Sequence, residues 1–173
     1  MITLFDDNYN DISQTYYDKV VYGIQLHQLT CSCGRSACLS FHASYERTVK
    51  NSDGCIRLKI CRVICSECGS THALLLSSIV PYSQIPVVCQ HKIILDRAAS
   101  SDVNDICNHF ENIDENNVKY VLRNYKKHWE QRLICEKISL AQLSDLIQSC
   151  FSYYSVAFMQ IHRGFNSLFL FST

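Results

Sequence analysis

Apolar and polar residues alternate from Ile56 to Ile64, with Ile56, Leu58, Ile60 and Arg62 on one face and Arg57, Lys59, Cys61 and Val63 on the other. A period of two predicts a half-buried strand. The turn Asn51-Ser-Asp53-Gly54 precedes it, and Asp-Gly is a strong hairpin signal, so Tyr45 to Lys50 is expected to be the partner strand. Beyond Pro81 and Pro86 the period becomes helical. Val87 to Ala99 forms a first helix, and Ser101-Asp102 starts a second in which Val103, Ile106, Cys107 and Phe110 recur at helical spacing. Asn112-Ile-Asp114 makes a turn whose Asp114 can cap a third helix. There Val118, Val121, Leu122, Tyr125, Trp129 and Leu133 form one unbroken apolar stripe. A capping box from Ser139 to Gln142 and a staple between Ile138 and Leu143 start a further helix that runs to about Phe151. Phe165 to Phe171 reads as an apolar, strand-like tail packed back on the core, with Tyr153, Tyr154, Phe158 and His162 as packing residues.

These patterns predict an α+β fold in four stretches: an acidic N-terminal segment (1–30), a ribbon with a β-hairpin (31–82), a helix-turn-helix-like region (83–137) and a C-terminal helix with its tail (138–173). The chain has 173 residues, 47% of them hydrophobic, with 5 glycines and 2 prolines, which excludes disordered and collagen-like classes. No run of about 18 uncharged apolar residues occurs, and no basic region leads into an apolar one at the start. The expectation is a cytoplasmic protein without a membrane partner.

The formal net charge is zero, which argues against coating nucleic acid over the whole surface. Opposing blocks underlie that total. Residues 1–30 carry −3, 31–68 carry +3, 96–115 carry −5 and 116–137 carry +4. The last block includes Lys119, Arg123, Lys126 and Lys127, which lie off the apolar stripe. Two short helices followed by a longer basic one fit a helix-turn-helix whose last helix enters the major groove. Asn116, Asn117, Lys119, Arg123, Lys126 and Lys127 are the expected DNA contacts. An ordinary amphipathic helix of an α-helical core has the same pattern.

Eleven cysteines is an odd count for disulfides, and reducing compartments keep thiols free, so metal binding leads. Cys31-Ser-Cys33-Gly34 and Cys65-Ser-Glu-Cys68-Gly69 lie about 30 residues apart, the arrangement that supplies four thiolates to one tetrahedral Zn²⁺. The first turn is one residue short of Cys-x-x-Cys. Cys38, His42 and His72 are alternates to Cys31, Cys33, Cys65 and Cys68. A small ribbon buries little apolar area, so the zinc would be structural. Cys89, Cys107, Cys135 and Cys150 read as small core residues. A redox Cys-x-x-Cys competes, but the strand-to-helix context of thioredoxin type is missing.

Together with His42, Tyr45-Glu-Arg47, Arg62-Val63, Thr71-His72-Ala73-Leu74-Leu75 and Val80-Pro81-Tyr82, these cysteine turns resemble a family of small bacterial proteins known only as a domain of unknown function. Its members look like the front end of insertion-sequence transposases, a zinc ribbon followed by a helix-turn-helix, and often occur in mobile elements. The resemblance covers residues 31–82 most specifically and leaves out 1–30, while Phe158-Met-Gln160-Ile-His162 to Asn166-Ser-Leu-Phe169 is similar to the family's ending. It implies zinc and DNA binding in a bacterial cytoplasm. Residues 138–173 contain Asp145 as their sole acid, too few carboxylates for two-metal strand transfer. The expected function is therefore non-catalytic: a zinc-stabilised DNA-binding regulator, or an accessory factor for a separately encoded transposase or recombinase, with a homodimer as a further expectation. The main alternative is a protein-interaction adaptor. A thiol enzyme using Cys65 or Cys68 with His72 ranks third, since a zinc-bound thiolate is unavailable for attack.

Overall fold

The computed structural model describes residues 1–161 apart from Asp7 and Asp53; the expected tail at 165–171, together with His162, lies outside the described residues. The described chain combines a four-stranded sheet with six α-helices. In chain order these are β1 (Ile2–Leu4), α1 (Gln14–Tyr22), β2 (Leu39–Asn51), β3 (Gly54–Cys65), β4 (Thr71–Leu76), α2 (Val87–Ala98), α3 (Val103–Asn108), α4 (Glu115–His128), α5 (Glu130–Cys135) and α6 (Leu143–Tyr154).

The alternating run and its partner form the β2–β3 hairpin, longer than the pattern implied at both ends. Asn51 pairs with Gly54 across the turn and Leu39 with Cys65 at the base, with a bulge between Phe41 and Ala43. Leu58 and Ile60 are buried as the period of two requires, but from Cys61 onward burial passes to the other face at Cys61, Val63 and Cys65.

The cause lies in residues 1–30, which the sequence pattern left without elements. Strand β4 pairs with β3 only from Arg62↔Ala73 to Ile64↔Thr71, then continues beside β1, which runs parallel to it from Ile2↔Leu74 to Leu4↔Leu76. The Tyr17 hydroxyl of α1 enters where β3 and β4 part. It accepts from the Cys61 N–H at 2.8 Å and donates to the Leu74 carbonyl at 2.9 Å. One side-chain amide, that of Gln14, likewise bonds the N–H and C=O of Lys59 at 2.7 and 3.3 Å. The backbone groups that β4 leaves behind thus find partners on α1, as buried ladders require. Leu4, Ile12, Tyr17 and Val21 share one apolar cluster with Leu58, Ile60, Val63 and Leu74.

The helices build a second cluster around Ile93, Ile106, Val118, Val121, Trp129, Leu146 and Phe158, and Val88 packs against both clusters. Helices α2, α3 and α4 pack on one another. Asp102 and Asp114 cap α3 and α4, accepting from the N–H groups of Asp105 and Asn117 at 2.8 and 2.9 Å. The expected unbroken third helix is divided. Trp129 departs from helical geometry (φ −125°, ψ −40°), so α4 ends at His128 and α5 begins at Glu130. Its fully buried ring stands edge-on to Tyr154 and Phe158, with centroids 6.0 and 5.4 Å away. Bonds from Trp129 N to Tyr125 O and from Leu133 N to Trp129 O carry the apolar stripe across the break.

Helix α6 also starts later than the capping box implied. The Ser139 hydroxyl accepts from the Ala141 N–H, two residues on, and forms a local turn that leaves Gln142 as the N-cap. Of the four scattered cysteines, Cys89 and Cys150 are buried and Cys107 packs half-buried against the helical core, whereas Cys135 is exposed and not a core residue. Tyr153 is exposed as well.

Candidate functional site

Each cysteine turn closes on a glycine that directly follows its second cysteine. The Gly69 N–H bonds the Cys65 carbonyl at 2.9 Å, and the Gly34 N–H bonds the Cys31 carbonyl at 2.9 Å. The first turn closes over one residue fewer, which is how Cys-x-Cys does the work of Cys-x-x-Cys. Both glycines have φ values, +84° and +68°, that residues with a Cβ rarely adopt. Cys65 is the last residue of β3, and the Ser66 N–H bonds the Cys38 carbonyl at 2.8 Å, joining the second turn to the segment after the first.

The turns bring the Sγ atoms of Cys31, Cys33, Cys65 and Cys68 within 4.8 Å of one another, a group that could hold a metal ion. Cys31–Cys68 and Cys33–Cys65 are separated by 3.6 and 3.9 Å. Cys31 and Cys65 are buried, while Cys33 and Cys68 face outward. Of the alternates, Cys38 Sγ lies 3.3 Å from Cys65 Sγ, and His72 Nε2 lies 3.2 Å from Cys31 Sγ, with its Nδ1 3.0 Å from the Met1 nitrogen. His42 is elsewhere, in the exposed groove between β2 and α1 lined by Gln14, Asp18, Tyr22 and Lys59.

Crowding divides the thiols by acidity. Burial disfavours a thiolate at Cys65, but N–H donors from Cys68 and Glu67 and the Cys38 thiol outweigh it, lowering the pKa to about 6. The Ser70 hydroxyl and N–H lower that of Cys68. At Cys33 a backbone hydrogen bond from Arg35 favours the thiolate, yet burial and the thiols of Cys31, Cys68 and Cys65 push it up to about 12. Burial and Cys65 push Cys38 up to about 11. A Cys65 thiol with its pKa lowered to about 6, beside thiols held protonated, forms a site that a dication would complete by displacing protons.

A second feature is the outer face of α4. Asn116, Lys119, Arg123, Lys126 and Lys127 are exposed. Lys119 pairs with Glu115 at 2.5 Å, and Arg123 lies over the Tyr120 ring. Asn117 is half-buried, its Oδ1 accepting from Lys50 Nζ on the hairpin at 3.1 Å. No periodicity in the sequence could have revealed that contact across 67 positions. Beside this face, Ile94, Ala98, Leu122, Tyr125 and Leu140 line a groove of about 680 Å³ edged by Arg97, Arg123, Lys126 and Glu130. No helix among the described residues is long and apolar enough to cross a membrane.

Residues 30–113 match the model of a family described as a domain of unknown function (DUF6431). The match contains both cysteine turns, the hairpin, β4, α2 and α3, and it stops short of α4. No curated protein and no solved structure matches the chain.

Proposed function

We propose that this chain is a zinc-stabilised, non-catalytic DNA-binding protein of a mobile genetic element. The observation that carries the reading is the exposed basic face of α4, presented by three mutually packed helices in a chain that also holds a four-cysteine site. Zinc suits the site because a tetrahedron with Zn–S bonds of about 2.3 Å has S···S edges of about 3.8 Å. The two pairs above stand at 3.6 and 3.9 Å. Four thiolates fill such a shell and leave no position for substrate, so the metal is structural. In the helix-turn-helix reading α3 and α4 form the motif, with Asn116 and Arg123 addressing bases and Lys119, Lys126 and Lys127 addressing phosphates. The mobile-element context, as regulator or as targeting factor for a separate transposase, rests on the sequence resemblance.

Titration of the full chain against the element's own ends or promoter as duplex DNA, at several salt concentrations, tests the reading. Binding whose affinity falls steeply with salt supports it, while no binding at low salt, or a slope near zero, removes it. Elemental analysis should find one zinc per chain; iron would point to the other ion that suits four thiolates.

The groove between α2 and α4 favours a second reading, a protein-interaction adaptor or self-associating chain. An apolar floor edged by Arg97, Arg123 and Lys126, with Glu130 as the one carboxylate, suits an amphipathic helix of net acidic character. Native mass spectrometry with and without DNA separates the two, since an adaptor assembles without nucleic acid.

A further inference from the structure

Outside α4, the β2–β3 hairpin carries a basic surface that nothing above has used. Alternation and register put Lys50, Thr48, Cys55 and Arg57 on one face, with Lys50 opposite Cys55 and Thr48 opposite Arg57. Lys50 and Arg57 are therefore diagonal cross-strand neighbours, roughly 7–8 Å apart, where like charges repel. Neither has an ion pair among the described residues, and Arg57 is exposed. Hairpins do hold unpaired cations at open edges for solubility. Here, however, Lys50 does not point into open solvent but reaches Asn117 in the first turn of α4, its Nζ 3.1 Å from Oδ1. Its main-chain N–H also bonds the Gln84 carbonyl at 2.7 Å, so the hairpin is anchored beside the helix rather than swinging free. Of the carboxylates nearby, Asp114 caps α4 and Glu115 pairs with Lys119, while exposed Glu46, opposite Lys59, is a diagonal neighbour of Arg57 on the same face. Lys50 and Arg57 thus add positive charge beside the first turn of α4, about 80–180° round the helix from Lys119, Arg123, Lys126 and Lys127.

We propose that this hairpin face is a second DNA-contacting element, in which Lys50 and Arg57 hold backbone phosphates flanking the base pairs that α4 addresses. The proposal rests on the DNA-binding reading and adds to it the stapled ribbon as a contact surface. Two cations off the helix axis would fix the angle at which α4 meets the duplex, since phosphate contacts set register and orientation. Lys59, next along the same face, borders the groove that also contains Asp18 and is not assigned to DNA.

The test uses the full-length protein, a mixed-sequence duplex of about 20 base pairs and the variants Arg57→Ala, Arg57→Glu and Arg123→Ala, comparing slopes of log K against log salt. Each phosphate contact contributes about 0.9 to the slope. Arg57→Ala should weaken binding roughly threefold to tenfold for any sequence and reduce the slope by about 1. Arg57→Glu should weaken it further, with unchanged zinc content and melting temperature because the side chain is exposed. Wild-type affinity and slope in Arg57→Glu, alongside a loss in Arg123→Ala, overturn the hairpin contact and leave the DNA-binding reading standing. Salt-insensitive or absent binding by the unaltered protein overturns that reading itself. Polyglutamate that competes as well as DNA at matched charge assigns the face to an acidic protein, which also overturns the proposal.

Discussion

The Nε2 of His72 lies 3.2 Å from the Sγ of Cys31, and the ring is buried on β4. On the far side of the site Cys38 Sγ stands 3.3 Å from Cys65 Sγ. In the four-cysteine zinc reading both residues are placed to hydrogen-bond the ligand sulfurs rather than to replace them, since Cys31, Cys33, Cys65 and Cys68 are the mutually close set. Outer partners of this kind orient ligands and tune affinity. His72→Ala and Cys38→Ser should each keep one zinc per chain and weaken zinc binding by roughly tenfold to a hundredfold. Competition with a chromophoric chelator measures this, and loss of the one-to-one stoichiometry in either variant would move that residue into the ligand set.

Gly69 carries the second cysteine turn at φ +68°, with nothing within 4 Å of where a Cβ would stand. Substitution there meets backbone strain without a clash. Gly69→Ala should lower stability by about 1–2 kcal/mol in chemical denaturation while retaining zinc. Chelation should destabilise further, and Cys65→Ser should reproduce the chelated state in the absence of chelator. A Cys65→Ser variant with unchanged zinc content and melting temperature would show that the ion is held elsewhere.

Tyr17 bridges the two strands that part company. In Tyr17→Phe the Cys61 N–H and the Leu74 C=O lose their shared partner in a buried setting, at a cost of about 2–3 kcal/mol. Equilibrium denaturation checks the magnitude. A cost near zero would mean that residues 1–30 are not an integral part of the sheet.

Alkaline stability follows from Cys150, which sits fully buried on α6 and whose pKa burial pushes up from 9.0 to about 12. Burial likewise takes Tyr154 up to about 12. Both groups are held neutral in the native state and ionise more readily in the unfolded chain. The contribution of Cys150 is complete below about pH 9 and is lost as pH rises toward 12, at up to about 1.4 kcal/mol per pH unit, and that of half-buried Tyr154 is smaller because solvent screens it. Denaturation midpoints recorded from pH 8 upward should fall, and Cys150→Ala should fall less steeply. An equal slope in both proteins would leave Cys150 without a part in the effect.

Local patterns reach as far as local forces do. The Ile56 to Ile64 alternation and the Asp-Gly turn specify a hairpin because side-chain direction and turn geometry depend on adjacent residues. Asp102 and Asp114 announce α3 and α4 because a cap acts within three residues. The four clustered cysteines were legible in the same way, since Gly34 and Gly69 belong to the turns they close. Three features had no such signature. Trp129, where the third helix divides, packs edge-on against Tyr154 and Phe158, contributed by residues 25 and more positions later. Cys38 and His72 fall outside the mutually close set of four cysteines because of where the chain brings them relative to Cys65 and Cys31. Residues 1–30, acidic and weakly patterned, join the sheet because β4 leaves β3 and exposes backbone groups that Tyr17 and Gln14 satisfy. Periodicity could therefore define the elements and the cysteine turns, whereas the order β1-β4-β3-β2 and the junction of Lys50 with Asn117 depend on contacts between distant segments.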